Sequence, residues 1–192
     1  MKTDIILAGV GGQGILSIAA AIGTAAVQSN LYLKQSEVHG MSQRGGDVQS
    51  HLRISDKPIA SDLIPLGKGD IIISVEPMEA LRYLPYLSKD GWIVTNTTPF
   101  INIPNYPEQE KLMDTLKGQK NVIAIDADAI AKDAGSARSA NMVILGAASA
   151  YLNMPIEVIE KAIVTLFERK GQDIVDANLK AFNAGREAAK VK

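Results

Sequence analysis

No cysteine occurs among the 192 residues, and there are only two histidines, one tryptophan and 5% aromatic residues. Without thiols there is no disulfide framework and no cysteine nucleophile. There is equally no thiolate ligation of a zinc ion or an iron–sulfur cluster by this chain. His39 and His51 lack the H-x-x-x-H spacing of a metal pair, so no metal site is expected. An excess of either charge is also missing. Lys and Arg number 20 against 21 Asp and Glu, which gives a net charge of −1. That balance supplies no basic field for nucleic acid or for an anionic membrane surface. No apolar run is long enough to span a bilayer, and no leader pattern precedes the first strand-like segment. The expectation is a soluble, cytoplasmic protein.

What is present is ordinary globular composition, 46% hydrophobic and 21% charged, in a chain long enough for a single domain over residues 1–192. Thr3 to Ala8 reads as a buried parallel strand. Gln13 to Ser29 reads as an almost entirely apolar helix, and Gly23 within it implies close packing. Leu31 to Val38 is a second strand. Asp47 to Ile54 alternates, with Val48, Ser50, Leu52 and Ile54 on one face and Asp47, Gln49, His51 and Arg53 on the other. The eight residues between these strands are too few for a helical crossover. The two are therefore expected as antiparallel neighbours or as the start of a separate hairpin. Asp70 to Val75 is a buried strand, followed by a helix opened by Glu76-Pro77 with Leu81, Tyr83, Leu84 and Leu87 on its buried side. Trp92 to Asn96, after an Asp90-Gly91 turn, and Val122 to Ile125 complete the strands. Glu108 to Leu116 is a short helix, and Asp126 or Asp128 caps the helix after the last strand. From Ser139 onward only helices follow: Asn141 to Leu152, Pro155 to Lys170 and Asp173 to Ala189. The fold class is α/β, a Rossmann-like three-layer arrangement with a mixed, mostly parallel sheet and a helical C-terminal third.

Two glycine-rich stretches carry the chemical signal. Gly9, Gly11 and Gly14 fit the G-x-G-x-x-G spacing, with Gly12 and Gln13 inside it. In that spacing the first glycine permits a tight turn, the second a close approach to phosphate and the third close packing of the helix on the strand. The helix start would then offer free N–H groups to an anion. A dinucleotide site also wants an acid at the end of the second strand, and Glu37 lies at that distance. The plainer reading is that the glycines only serve the strand-to-helix turn. The second stretch is His39-Gly40-Met41-Ser42-Gln43-Arg44-Gly45-Gly46. Its backbone N–H groups and Arg44 suit an anion, or the loop is a solvated hairpin connection. Glu76 and Asn96 end strands at the carboxyl edge, where open α/β sheets bind ligands. Helix capping explains Glu76 equally well. His51 reads as a residue on an exposed strand face, and His39 as an acid–base group or a structural one. Asn141 and Asn178 fall within helices and read as buried polar links, with no chemistry assigned to them. No catalytic residue is assigned.

The order of Gly9-Val10-Gly11-Gly12-Gln13-Gly14, then Glu37-Val38-His39-Gly40-Met41-Ser42-Gln43-Arg44-Gly45-Gly46, then Ser74-Val75-Glu76-Pro77-Met78-Glu79-Ala80 resembles the gamma-type subunit or domain of 2-oxoacid:ferredoxin oxidoreductases. The Gln43-Arg44-Gly45-Gly46 stretch is its most specific part, and the resemblance covers nearly the whole chain. It implies membership of a complex that oxidatively decarboxylates a 2-oxoacid, in the indolepyruvate or aryl-pyruvate branch, to an acyl-CoA and passes two electrons to ferredoxin. It implies thiamine diphosphate, Mg²⁺, iron–sulfur clusters and CoA in the assembled complex. The Gly-Asp-Gly signature of the diphosphate–metal site is missing here. This chain is therefore expected to hold none of those groups and to complete the site of a large thiamine- and cluster-binding partner. The loop from His39 to Gly46 would face the CoA or substrate side or the partner interface, and the isolated chain could self-associate. The alternative is a stand-alone Rossmann-like nucleotide-binding module or regulator.

Overall fold

The computed structural model describes residues 1–39 and 45–190. Its elements run β1 (Lys2–Val10), α1 (Ile15–Gln28), β2 (Tyr32–His39), β3 (Asp47–Ser55), β4 (Gly69–Ser74), α2 (Pro77–Arg82) and β5 (Leu87–Asn96). Then follow α3 (Gln109–Lys117), β6 (Val122–Ile125), α4 (Ala127–Asp133), α5 (Ala140–Ala148), α6 (Ile156–Phe167) and α7 (Gln172–Lys190). The strands form one sheet in the order β2-β3-β1-β4-β5-β6. β1, β4, β5 and β6 are parallel to one another, and β3 runs antiparallel to both β1 and β2. The sheet is thus mixed and mostly parallel, and every element after β6 is helical.

β1 is buried at every residue from Thr3 to Val10 because strands flank it on both sides and helices cover both faces. Alternate residues sort its neighbours. Ile5 and Leu7 join a large apolar cluster with Ile71, Ile73 and Val94 and with residues of α1, α4, α5, α6 and α7. Ile6 and Ala8 point the other way and pack with Ile72, Ile64 and Tyr83. Ala80 of α2 and Leu116 of α3 cover Ile93 on that second face. The chain winds one way from β1 through α1 to β2, and the other way from β4 to β6. Strand order therefore reverses between β1 and β4, where open α/β sheets leave a crevice at the carboxyl ends.

Three sequence expectations change. The helix after Glu76 ends at Arg82, because Pro85 would cost it a backbone hydrogen bond and clash with the preceding turn. Leu84 and Leu87 therefore lie outside it. β5 starts at Leu87 instead of Trp92, and its pairing with β4 shifts register between Gly69 and Ile71. Gly91 permits that irregularity, since a Cβ there would lie 2.5 Å from Leu87 Cδ1. The third change is His51, which is only 6% exposed. The alternation along β3 is as expected, but the second face is covered by the segment 57–66. The Ile64 N–H donates to His51 Nδ1 at 2.9 Å, and the Tyr86 ring meets the imidazole edge-on. Burial holds the His51 pKa below its ordinary value, with Asp62 opposing that effect.

Candidate functional site

The glycine turn after β1 is closed by its own chain. The Val10 N–H donates to the Gln13 side-chain oxygen at 2.8 Å, and the Gln13 N–H returns to the Val10 carbonyl at 3.1 Å. The Gly11 N–H donates to the Gly46 carbonyl at 2.8 Å. Two N–H groups that a phosphate would seek are already satisfied, one of them by a carboxamide folded back into the cradle. The glycines divide the work differently from the dinucleotide pattern. Gly9 is the close-packing position, where a Cβ would lie 2.5 Å from Val75 Cγ2 and 2.7 Å from Ile15 Cδ1. Gly12 and Gly14 take φ of 101° and 82°, which other residues reach only with strain. Gly14 also caps α1, and its carbonyl accepts from Asn141 Nδ2 at 3.1 Å. Asn141 thus joins the start of α5 to the start of α1.

Glu37 does not reach this turn. β3 stands between β2 and β1, so Glu37 sits two strand spacings from β1, roughly 9–10 Å in the hydrogen-bonding direction. A ribose-binding acid belongs one spacing away. The Glu37 carboxylate instead accepts from Gln35 Nε2 at 3.1 Å.

Of the second glycine stretch, Gly40, Met41, Ser42, Gln43 and Arg44 lie outside the described residues. His39 ends β2. Gly45 and Gly46 are placed beside the first turn: Gly46 through Gly11, and Gly45 by a 2.7 Å bond from Asn102 Nδ2 to its carbonyl. Gly45 and Gly46 therefore lie beside the first glycine turn at the carboxyl edge of the sheet. Exposed apolar side chains surround them, with Leu16 at 52%, Phe100 at 43% and Ile101 at 73% exposure.

Glu76 and Asn96 are both buried and both already engaged. Glu76 caps α2, accepting from the Glu79 N–H at 2.9 Å, and its other oxygen accepts from the Phe100 N–H at 3.2 Å and from the Tyr106 hydroxyl. The carboxylate thereby ties segment 98–106 to the end of β4. Burial first, and the bond to Glu76 second, push the Tyr106 phenol well above its ordinary pKa. Asn96 Nδ2 donates to Asp128 Oδ2 at 2.7 Å, and its Oδ1 accepts from the Ala127 N–H at 3.0 Å. Asn96 so fixes the start of α4, where Asp126 is the cap through a 2.9 Å bond from the Ala129 N–H.

At the strand-order reversal lies a cleft of about 380 Å³ lined by Gly12, Gln13, Val75, Asn96, Asp128, Arg138 and Asn141. A neighbouring cleft of about 350 Å³ shares Gly12, Gln13, Arg138 and Asn141 and adds Lys170 and Asn178. Asn178 spends its amide on the Ile174 carbonyl at 2.7 Å. Arg138 is exposed at the mouth of both clefts, with no ion-pair partner among the described residues. Sequence reading placed Gln13 in the glycine turn without a role for its side chain and passed over Arg138, which has neither periodic nor motif character. The larger cavity of about 560 Å³, lined by Tyr151, Met154 and Arg186 among others, is formed where the ends of α5 and α7 meet, away from the glycine turn. Among the described residues no group of three or more His, Cys, Asp or Glu could hold a metal ion. Among them also, no helix is long and apolar enough to cross a membrane.

Beneath the rim lies Glu79, its side chain 1% exposed, which accepts from Arg82 Nε at 2.7 Å. Burial raises its pKa above the ordinary 4.5, with Arg82 opposing and Glu76 and Asp47 adding to the rise. Burial also raises the pKa of the neighbouring Tyr83 phenol, which donates to Asp47. A raised carboxyl pKa favours folding fully below the unfolded value, and that contribution is lost as pH climbs through the folded value. Glu79→Gln should accordingly flatten the decline in urea midpoint above pH 4.5 relative to the parent protein. Parallel midpoint–pH curves would refute the shift.

A family model for pyruvate ferredoxin/flavodoxin oxidoreductase matches residues 4–188. The chain belongs to that family. Indolepyruvate oxidoreductase subunit IorB of Archaeoglobus fulgidus is 39% identical over 198 residues, covering 98% of this chain and 96% of that one. The gamma subunit of a keto/oxoacid ferredoxin oxidoreductase from Geobacter sulfurreducens superposes with a TM-score of 0.72 at 26% identity, covering 99% of each chain. A 2-oxoglutarate:ferredoxin oxidoreductase from Magnetococcus marinus gives 0.78 at 23% identity, and this chain spans 31% of the length of that one. The last likeness concerns the fold. In the turn that resembles a dinucleotide site, the Val10, Gly11 and Gln13 N–H groups are here bonded within the chain.

Proposed function

We propose that the chain is the small accessory subunit of an indolepyruvate:ferredoxin oxidoreductase, a single gamma-type domain over residues 1–192. The observation that carries the reading is the end-to-end identity with subunit IorB. The complex would oxidatively decarboxylate an aryl-pyruvate to the acyl-CoA, release CO₂ and deliver two electrons to ferredoxin. Thiamine diphosphate, Mg²⁺ and the iron–sulfur clusters would sit in a large partner subunit, since no thiolate exists here to hold a cluster. This chain's part would be to present the carboxyl rim of its sheet to the partner's active site. Two features support that part: the apolar side chains exposed around paired glycine stretches, and a guanidinium at the cleft mouth. Arg44, on the stretch between His39 and Gly45, would supply a cation on the CoA or substrate side. The site would be a cytoplasmic one, with neither nucleic acid nor membrane as partner.

In the reconstituted two-subunit complex, Arg44→Ala should lower CoA-dependent ferredoxin reduction by about tenfold or more, the scale of losing one charge-assisted contact. The melting curve of the isolated subunit should not move. Unchanged turnover would make the stretch a plain surface loop, and failure to associate with a thiamine-binding subunit would end the proposal. The competing reading, a stand-alone nucleotide-binding module, is disfavoured by the Gln13 carboxamide inside the turn. Calorimetry of the isolated chain with NAD(H), FAD and ATP should give no binding tighter than about 1 mM, an affinity of about −4 kcal/mol. Micromolar binding would favour the module.

A further inference from the structure

Glu76 is fully buried just past the end of β4, and its backbone is pinned as firmly as its side chain. The Glu76 N–H donates to Ser74 Oγ at 3.2 Å, and that hydroxyl donates to the Glu76 carbonyl at 2.6 Å. The carboxylate only accepts. Oε2 takes the Glu79 N–H of α2, while Oε1 takes the Phe100 N–H and the Tyr106 hydroxyl. The strap that Oε1 holds runs from Pro99 to Pro107, and its apolar side chains gain little from burial. Phe100 is 43% exposed, and Ile101, at 73%, is the most exposed large apolar residue among those described. A segment with that exposure keeps one position through its polar anchors.

The outer anchor of the strap is Asn102. Its Nδ2 donates to the Gly45 carbonyl at 2.7 Å, and the next carbonyl, that of Gly46, accepts from the Gly11 N–H at 2.8 Å. Glu76, the strap, the end of the second glycine stretch and the first glycine turn thus form one series of hydrogen bonds across the rim. The series has a cost. Asn102 Oδ1 is buried without a donor, the one such side-chain atom among the described residues. A chain selected for stability alone avoids an orphaned acceptor, so this one points to a placement kept for function.

We propose that Glu76 is a positioning residue: through the strap it fixes where Gly45 and Gly46 lie beside the first glycine turn, and so sets the rim that meets the partner's active site. This role rests on the chain being the accessory subunit of the oxidoreductase. Glu76 touches no reacting group. It acts by preorganisation, since a strap already fixed costs no ordering when the rim docks. The residue type matters. Only a carboxylate offers acceptors on both of its ends, so Glu76→Gln would turn an NH₂ group toward either the α2 cap or the strap.

That variant mixes two losses, and the test breaks the later links instead. Tyr106→Phe removes the hydroxyl bond to Glu76, and Asn102→Ala removes the bond to Gly45. In the reconstituted complex, at a temperature where each variant is fully folded, each should lower turnover about fivefold, the scale of one hydrogen bond. Links in series fail together. The double variant should therefore lose the same fivefold, and not the product of about 25-fold that independent effects would give. Glu79→Gln, whose side chain meets Arg82 and not the strap, should keep parental turnover. In the isolated chain, hydrogen exchange at the Gly11 N–H should quicken about fivefold or more in both single variants. The proposal is overturned by parental turnover in both, by losses that multiply, by an equal loss in Glu79→Gln, or by an unmoved Gly11 amide. An unsubstituted chain that never forms an active complex would end the accessory-subunit reading and this role with it, and that result is seen before any variant is made.

Discussion

Arg53→Met is expected to destabilise the protein by about 3 kcal/mol and to lower its melting temperature by roughly 6–12 °C. Asp4 lies in β1 with its side chain 1% exposed, and Arg53 in β3 is itself only 15% exposed. The guanidinium grips the carboxylate with two bonds, Nε to Oδ1 at 2.8 Å and the NH2 nitrogen to Oδ2 at 3.1 Å. Its remaining nitrogen donates to the Ser61 and Leu63 carbonyls at 3.0 and 2.9 Å. Removing it leaves a buried carboxylate short of its main donors, while the two carbonyls, whose bonds lie on the exposed side, turn to water. Lys2, 2.7 Å from Asp4 but half exposed, remains as partial compensation and keeps the figure at the low end. Asp4→Leu combined with Arg53→Met should recover about half of the loss or more, because the unpaired buried charge disappears while the anchoring of segment 61–63 by Arg53 is still lost. Denaturant unfolding of the two single variants and the double variant measures this. A cost below about 1 kcal/mol for Arg53→Met would mean that the pair behaves like an ordinary surface salt bridge.

That pair also marks the boundary of what the sequence can be made to say. Asp4 and Arg53 are legible as polar positions in two strands, and alternation assigns Arg53 to the right face. Their meeting depends on β3 inserting beside β1, a sheet order that short-range periodicity does not encode. The same insertion displaces Glu37 from the ribose position that its sequence distance suggests. His51 fails for a related reason. Its strand face was legible, but its cover comes from residues 57–66, which have no pattern to read. The strand–turn–helix at Gly9 to Gly14 was plain from spacing alone. Its function was not, because the deciding contact is a Gln13 side chain bonded to Val10, and G-x-G-x-x-G treats that position as free. The Asn141–Gly14 bond joins residues far apart in the chain, and only the folded structure reveals why an asparagine opens α5.

The second large effect belongs to the two glycines that let α5 and α7 meet. A Cβ at Gly146 would lie 1.9 Å from the Phe182 carbonyl oxygen, and one at Gly185 would lie 1.9 Å from the Val143 carbonyl oxygen. Backbone is the obstacle in both cases, so no rotamer change relieves the clash and the helices must separate. Gly146→Ala or Gly185→Ala gains about 1 kcal/mol of helix propensity. Against that stands the loss of close packing around Val143 and Phe182, both fully buried, which costs about 3 kcal/mol or more on the scale of overpacked cores. The net expectation is a loss of about 2 kcal/mol, or a fall of roughly 4–8 °C in melting temperature, for each variant. The pair should be less than additive, since one displacement of α7 relieves both contacts. Calorimetric melting of both single variants and the double variant decides it, and a stabilised Gly185→Ala would show that the helices have room to part. The consequence reaches the site. Asn141 and Arg138 sit at the start of α5, and α7 carries Asn178 to the second cleft, so a shift between these helices moves walls of both clefts. A Gly146→Ala subunit that still assembles should for that reason lose turnover at temperatures well below its own melting point. Turnover that tracks the folded fraction alone would show that the clefts take no part.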